Sequence, residues 1–140
     1  MPHDTLDQSD YTALAEFRYL IRCFLEFSED RAKSVGMTPR QHQALLVIKG
    51  YGKGEPITIG TLAERLRIKH HSAVELANRL ADSGLVERSA DPDDQRKVLL
   101  QLTGLAQEQL ASLSAAHQDE LSRIEPMLRR VLARDKKPRL

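Results

Sequence analysis

Residues 70–103 read "HHSAVELANRLADSGLVERSADPDDQRKVLLQLT". Ala73, Leu76, Ala77 and Leu80 recur at i, i+3, i+4 and i+7, the spacing of one buried helical face. Gly84 stands where a chain leaving a helix needs a left-handed residue. "LVERS" (85–89) and "KVLLQL" (97–102) then read as strands, and in the second Val98, Leu100 and Leu102 alternate with Lys97, Leu99 and Gln101. The connection between them is far longer than the two residues a tight hairpin needs. It is acidic on the way out, through Asp91, Asp93 and Asp94, and basic on the way back, through Arg96 and Lys97. Pro92 stiffens it.

Upstream, "TIGTLAERLR" (58–67) predicts a short helix with Leu62, Ala63 and Leu66 inward. A brief break at Ile68-Lys69 joins it to the helix over 70–83. Two short helices with a tight joint make a helix-turn-helix pattern. The small Ala63, Ala73 and Ala77 let the pair approach closely. "TPRQ" (38–41) marks another helix start: Thr38 caps, Pro39 takes the first helical position and Gln41 completes a capping box. Ala44, Leu45, Val47 and Ile48 supply its buried face. "GYGKGEP" (50–56) reads as a flexible loop. It is no phosphate cradle, because no strand precedes it and no Lys-Ser/Thr helix start follows.

The two ends of the chain read as long helices. Ser9 or Asp10 is placed to cap a first helix from Tyr11, which Gly36 ends. Leu14, Phe17, Ile21, Phe24 and Leu25 follow helical spacing, and Ala13, Leu20 and Phe27 widen the stripe to two sides. A helix apolar on two sides is covered on two sides, and a partner subunit is the second cover in so short a chain. Thr103 caps the last helix, whose stripe continues through Leu110, Leu113, His117, Leu121, Ile124, Leu128, Val131 and Leu132. Pro126 is expected to kink it or start a fresh helix, and the basic tail "RRVLARDKKPRL" to fray. The fold class that follows is mainly α with a small β-hairpin. One domain over 1–140 is expected, a winged helix-turn-helix (37–103) flanked by dimerisation helices (9–36 and 104–135).

Composition narrows the function. A chain of 140 residues can bury roughly two-thirds of its unfolded surface, so it supports a real core. The formal net charge is +1, so any basic patch is local rather than global. One cysteine, Cys23, excludes an internal disulfide framework and fits the reducing cytoplasm. No signal-peptide core opens the sequence, and no apolar run approaches the roughly 18 residues of a membrane span. The absence of Trp and the few aromatics argue against single-strand binders built on stacking platforms.

The "LAERLRI" helix, "HHSAVELANRLADSGLVER" and the "DPDDQRKVLLQLT" loop, in that order, resemble the MarR family, the multiple-antibiotic-resistance regulators, over roughly residues 11–121. The resemblance implies a homodimeric regulator of transcription that binds double-stranded DNA, often a repressor released by a small ligand or an oxidant. The helix tip would then read major-groove edges through Lys69, His70, His71, Ser72, Glu75, Asn78 and Arg79. In the family the wing arginine enters the minor groove, a role that falls here on Arg96, oriented by Asp94. Gln95 stands where the family often has Arg, and Lys97 is a backbone contact. Arg40, Arg65 and Arg67 are the candidate phosphate contacts, which give position rather than specificity. An effector pocket would lie between the flanking helices and the winged domain, with Phe17, Ile21, Phe24 and His42 as candidates.

Other residues carry plainer expectations. Cys23 reads as a small buried hydrophobe. His70 and His71 lie about 100° apart on a helix, and no histidine spacing supports a zinc site. No metal, no cofactor and no enzymatic chemistry are expected, because no nucleophile–base pair or cofactor loop has a convincing context. An acidic start (Asp4, Asp7, Asp10, Glu16) and a basic end (Arg129, Arg130, Arg134) are placed to pair between subunits. The alternative to DNA binding is a winged-helix protein-interaction module, for which Glu75, Asp93 and the modest net charge leave room.

Overall fold

The computed structural model describes residues 5–133. In chain order the elements are α1 (Gln8–Ser34), α2 (Pro39–Leu46), a π-helical turn (Val47–Tyr51), β1 (Ile57–Thr58), α3 (Ile59–Leu66), α4 (His70–Asp82), β2 (Val86–Ala90), β3 (Val98–Leu102) and α5 (Gly104–Ala133). The architecture is mainly helical with a small antiparallel sheet, and the winged helix-turn-helix lies between two long helices.

Local chemistry sets most of these boundaries. Thr38 Oγ1 accepts from Gln41 N at 3.1 Å, and Gln41 Oε1 accepts from Thr38 N at 3.0 Å, so the capping box at α2 is complete. Thr58 caps α3 by accepting from Thr61 N at 3.0 Å. Arg67 closes α3 in the left-handed conformation, with φ 58°, and so turns the chain into α4. Gly84, with φ 73°, ends α4 and releases the chain into β2.

The start of α1 differs from expectation. Asp7, not Ser9 or Asp10, is the cap, and the helix begins at Gln8. Asp10 occupies the third helical position: Asp7 Oδ1 accepts from Asp10 N at 3.1 Å, and Asp10 Oδ2 accepts from Asp7 N at 2.9 Å. Two carboxylates thus serve one capping box, and both suit the positive end of the helix dipole.

The sheet has three strands rather than two. β3 is central, and β1 adds to its outer edge with Ile57 opposite Leu100 and Thr58 opposite Leu99. The hairpin register pairs Val86 with Leu102, Arg88 with Leu100 and Ala90 with Val98. The first strand is therefore displaced by one residue from the sequence reading, the second starts one residue later than read, and Ala90 belongs to the ladder rather than the loop. The "GYGKGEP" stretch is no slack connection at its core. A Cβ at Gly52 would meet Glu55 O at 2.5 Å and Ile48 O at 2.6 Å, so the chain folds tightly on itself there.

One core runs from Ala32 at the end of α1 through α2, α3, α4 and the sheet to Leu113 of α5; Leu45, Leu62, Leu80 and Leu100 are fully buried in it. Outside that core, α1 packs along α5, and Ala13 and Leu20 of α1 and Ile124 of α5 are buried. Pro126 neither kinks off a separate element nor starts one: α5 runs through it as one helix. Ser122 O loses the backbone donor that residue 126 would otherwise supply, and α5 nonetheless continues to Ala133, with Ile124 buried just before the proline. The part of the basic tail beyond Ala133 lies outside the described residues.

The outer face of α1 stays open. Tyr11, Leu14, Ile21 and Leu25 are exposed, and so are Leu121 and Leu132 of α5. The two-sided stripe of α1 is therefore covered on one side only within the chain. No helix among the described residues is long and apolar enough to cross a membrane.

Candidate nucleic-acid interface

Burial divides α4 cleanly. Ala73, Leu76, Ala77 and Leu80 face the core, and at 100° per residue the opposite ridge is His71, Glu75 and Asn78, all exposed. On one flank, His70, Val74 and Asn78 line a cleft of about 670 Å³ whose far wall is the wing, from Arg88 to Ala90 and from Gln95 to Val98. On the other flank, Ser72, Glu75 and Arg79 share a groove with Thr38, Arg40 and Gln41 at the start of α2. The major-groove candidates and Arg40 are thus brought to one side of the molecule by a single helix and its neighbours.

Lys69 occupies the cap position of α4 in extended backbone, and its side chain makes no capping hydrogen bond. The helix starts where the sequence places it, but its first-turn N–H groups have no side-chain acceptor at the cap. Such an end attracts an anion. Arg67, in the left-handed turn just before, is exposed beside it. Arg65 is placed differently: its guanidinium stacks on the Tyr51 ring at 4.1 Å.

The wing tip is built by its own aspartates. Asp91 Oδ1 accepts from Asp93 N at 2.9 Å, which starts the turn at Pro92. Backbone bonds from Lys97 N to Asp94 O (2.9 Å) and from Asp91 N to Lys97 O (3.1 Å) close the loop. Asp94 then grips Arg96 in a fork. Nε donates to Oδ1 at 3.0 Å, Nη2 donates to Oδ2 at 3.2 Å, and the Arg96 backbone N also donates to Oδ1 at 3.1 Å. The Arg96 side chain is 91% exposed although it is held at its base. These bonds, the Arg96 side chain first, hold the Asp94 carboxyl below the usual carboxylate range. The pair is solvated, so its value is orientation rather than stability.

Arg88 is a cleft residue that sequence reasoning missed. From the middle of β2 its Nη1 donates to Asn78 Oδ1 on α4. It lay inside a segment read only as a strand, and an arginine two residues from Val86, on the same face of the strand, is the signal that was there to find.

The four proposed pocket residues are only partly gathered. His42 is 4% exposed and its ring lies 4.9 Å from that of His117, with Phe24 and Phe27 edge-on to His117 at 5.7 and 5.4 Å. His117 Nδ1–H donates to Leu113 O at 2.6 Å, which leaves Nε2 to accept from Ser28 Oγ at 2.9 Å. His42 Nδ1 is buried without a partner. Phe17 and Ile21 are exposed on α1, outside this cluster's buried centre. Cys23 is half-buried. Among the described residues no group of three or more His, Cys, Asp or Glu side chains is arranged to hold a metal.

Some of the charges at the chain ends are engaged within the chain. Asp7 and Asp10 are committed to their capping box, and Arg129 pairs with Glu125 on its own helix. Glu16 and Arg130 line one groove between α1 and α5 of the same chain. Asp4 and Arg134 lie outside the described residues.

Comparison with known proteins agrees with the geometry. A family model described as the MarR family matches residues 35–97, the segment from the end of α1 to the wing tip. The matched segment, somewhat less than half of the chain, is similar to the MarR family. It is 29% identical over 89 residues to an uncharacterized HTH-type transcriptional regulator, YcgE, of Bacillus subtilis, a match spanning 64% of this chain and 56% of that protein. The match thus spans little more than half the length of that relative. A MarR family protein from Bacillus stearothermophilus superposes with a TM-score of 0.73 at 18% identity, covering 86% of this chain and 82% of the other. A mutant of MepR from Staphylococcus aureus, bound to an oligodeoxyribonucleotide, superposes with a TM-score of 0.66 at 16% identity, covering 83% and 82%.

Proposed function

We propose that the protein is a homodimeric, sequence-specific regulator of transcription that binds double-stranded DNA and represses. In this reading the helix over residues 69–83 enters the major groove and the wing, 89–97, reaches the flanking minor groove. A helix of α4's length is about 20 Å long and fits a groove about 12 Å wide. The observation that carries the reading is the cleft itself: His70, Val74 and Asn78 of α4 form one wall, and the wing with the fork-held Arg96 forms the other. A planar cation on a thin loop suits the negative potential of a narrow minor groove. The uncapped start of α4, with Lys69 and Arg67 beside it, suits a backbone phosphate, as do Arg40 and Lys97. The structurally similar MepR mutant, bound to an oligodeoxyribonucleotide, supports DNA as the partner.

The open apolar face of α1, with Leu121 and Leu132, supports a homodimer built by the two long helices, with 37–103 as the reading unit. Twofold symmetry then places half-site centres about 10 base pairs apart. A small effector seated near Phe24 and His42 would act at the joint between the two parts. The test is Arg96→Ala measured against a selected operator at several salt concentrations. Affinity should fall and the salt slope should become shallower by about 0.9 in the log–log plot. Unchanged affinity and slope would remove the wing from the interface, and no binding to any duplex at low salt would favour a protein-interaction module.

A further inference from the structure

The bond between Arg88 and Asn78 has a chemical consequence that follows from atom types alone. A guanidinium has donors and no acceptor. The Asn78 carboxamide must therefore turn Oδ1 toward β2, which directs Nδ2–H₂ away from the strand. Asn78 sits on the exposed ridge of α4, and both residues line the cleft between that helix and the wing. A free Asn offers one donor and one acceptor side by side, the pattern that matches adenine N6 and N7. A carboxamide with its oxygen committed sideways offers a donor edge instead.

We infer that Arg88 is a positioning residue for specificity: it fixes the amide of Asn78 so that this position reads an acceptor edge in the major groove and not adenine through the paired contact. Guanine offers two such acceptors, O6 and N7, and thymine offers O4, whereas adenine N7 stands beside the N6 donor that a free Asn would also engage. The inference rests on the DNA-binding reading above. Arg88 acts through Asn78, from the sheet, and gives the wing strand a second task besides carrying the loop. It also braces the exposed helix face, since a side chain already held loses less rotamer freedom on binding.

The experiment is selection of bound sequences from a random duplex pool with the wild type, Arg88→Ala, Arg88→Lys, Asn78→Ala and the double variant Arg88→Ala/Asn78→Ala. Arg88→Ala should change the preferred base at one position of each half-site, toward adenine, by at least about fivefold in base ratio. Arg88→Lys, which keeps the charge and a donor, should restore the wild-type preference at least in part. The double variant should match Asn78→Ala at that position, because the effect of Arg88 passes through the amide. Thermal unfolding of each variant confirms that α4 and the sheet are intact. If Arg88→Ala weakens every sequence equally and leaves all base preferences in place, Arg88 is a plain phosphate contact and the inference fails. It fails equally if its effect on base preference survives in the Asn78→Ala background. A wild type that enriches no sequence instead overturns the DNA-binding reading, and this inference with it.

Discussion

Lowering the pH should weaken the fold through one buried imidazole. His42 is nearly inaccessible, its Nδ1 lacks a partner, and the His117 ring lies 4.9 Å away. Burial first, and then the neighbouring His117, lowers the His42 pKa below its ordinary value. The unfolded chain therefore binds a proton that the folded chain resists. Stability from this group is complete above the unfolded pKa, about 6.5, and is lost as pH falls from there toward the folded pKa. Within that window one proton taken up on unfolding gives a slope of at most about 1.4 kcal/mol per pH unit. The assay is urea denaturation at a fixed protein concentration, because assembly also shifts the midpoint. Wild type and His42→Leu are compared at several values between about pH 7.5 and pH 5. The stability difference between them should be flat above about pH 6.5 and should then move against the wild type as acid is added. The carboxylates held low by arginine, Asp94 and Glu120, titrate further into acid and are common to both proteins. Parallel stability curves across the whole range would refute the reasoning.

Gly52→Ala should destabilise despite alanine's better helix propensity, because its Cβ would fall 2.5 and 2.6 Å from two backbone oxygens. A cost of about 1–3 kcal/mol should appear as a lower thermal midpoint. Thr38→Ala removes half of the capping box at α2 and should cost about 1 kcal/mol in denaturant unfolding. Leu80→Ala, at a fully buried position on the inner face of α4, should cost about 2–5 kcal/mol, and the variant should lose cooperative unfolding before it loses helix signal. Leu25→Glu, on the open face of α1, should raise the subunit dissociation constant in sedimentation and leave the far-ultraviolet spectrum unchanged.

What the sequence disclosed follows the range of the forces involved. Thr38, Gln41, Gly84 and Thr103 act over a few residues, so their roles were legible directly, and so was the inner face of α4. The Asp94–Arg96 fork spans two residues and came from a family resemblance that the geometry bears out. β1 was not legible, because two residues carry no alternation and its edge exists only once β3 is in place. Pro126 misled for the opposite reason. A local rule predicted a break, and the helix runs on through the proline to Ala133. The start of α1 was misplaced because several polar residues competed for one cap, and only the reciprocal bonds of Asp7 and Asp10 decide among them. Arg88 and Asn78 are ten residues apart on different elements, and no spacing rule joins a strand to the helix before it.

Thr103 joins three elements at one residue. Its hydroxyl donates to Gly84 O at 2.7 Å and accepts from Ala106 N at 3.2 Å, and its backbone N donates to Leu85 O at 3.1 Å. The end of α4, the end of β3 and the beginning of α5 are therefore riveted together with no slack segment between them. A tilt of the long helix is delivered to the reading helix as rigid rotation, and a few degrees at this hinge point become ångströms at the far end of a lever as long as α5.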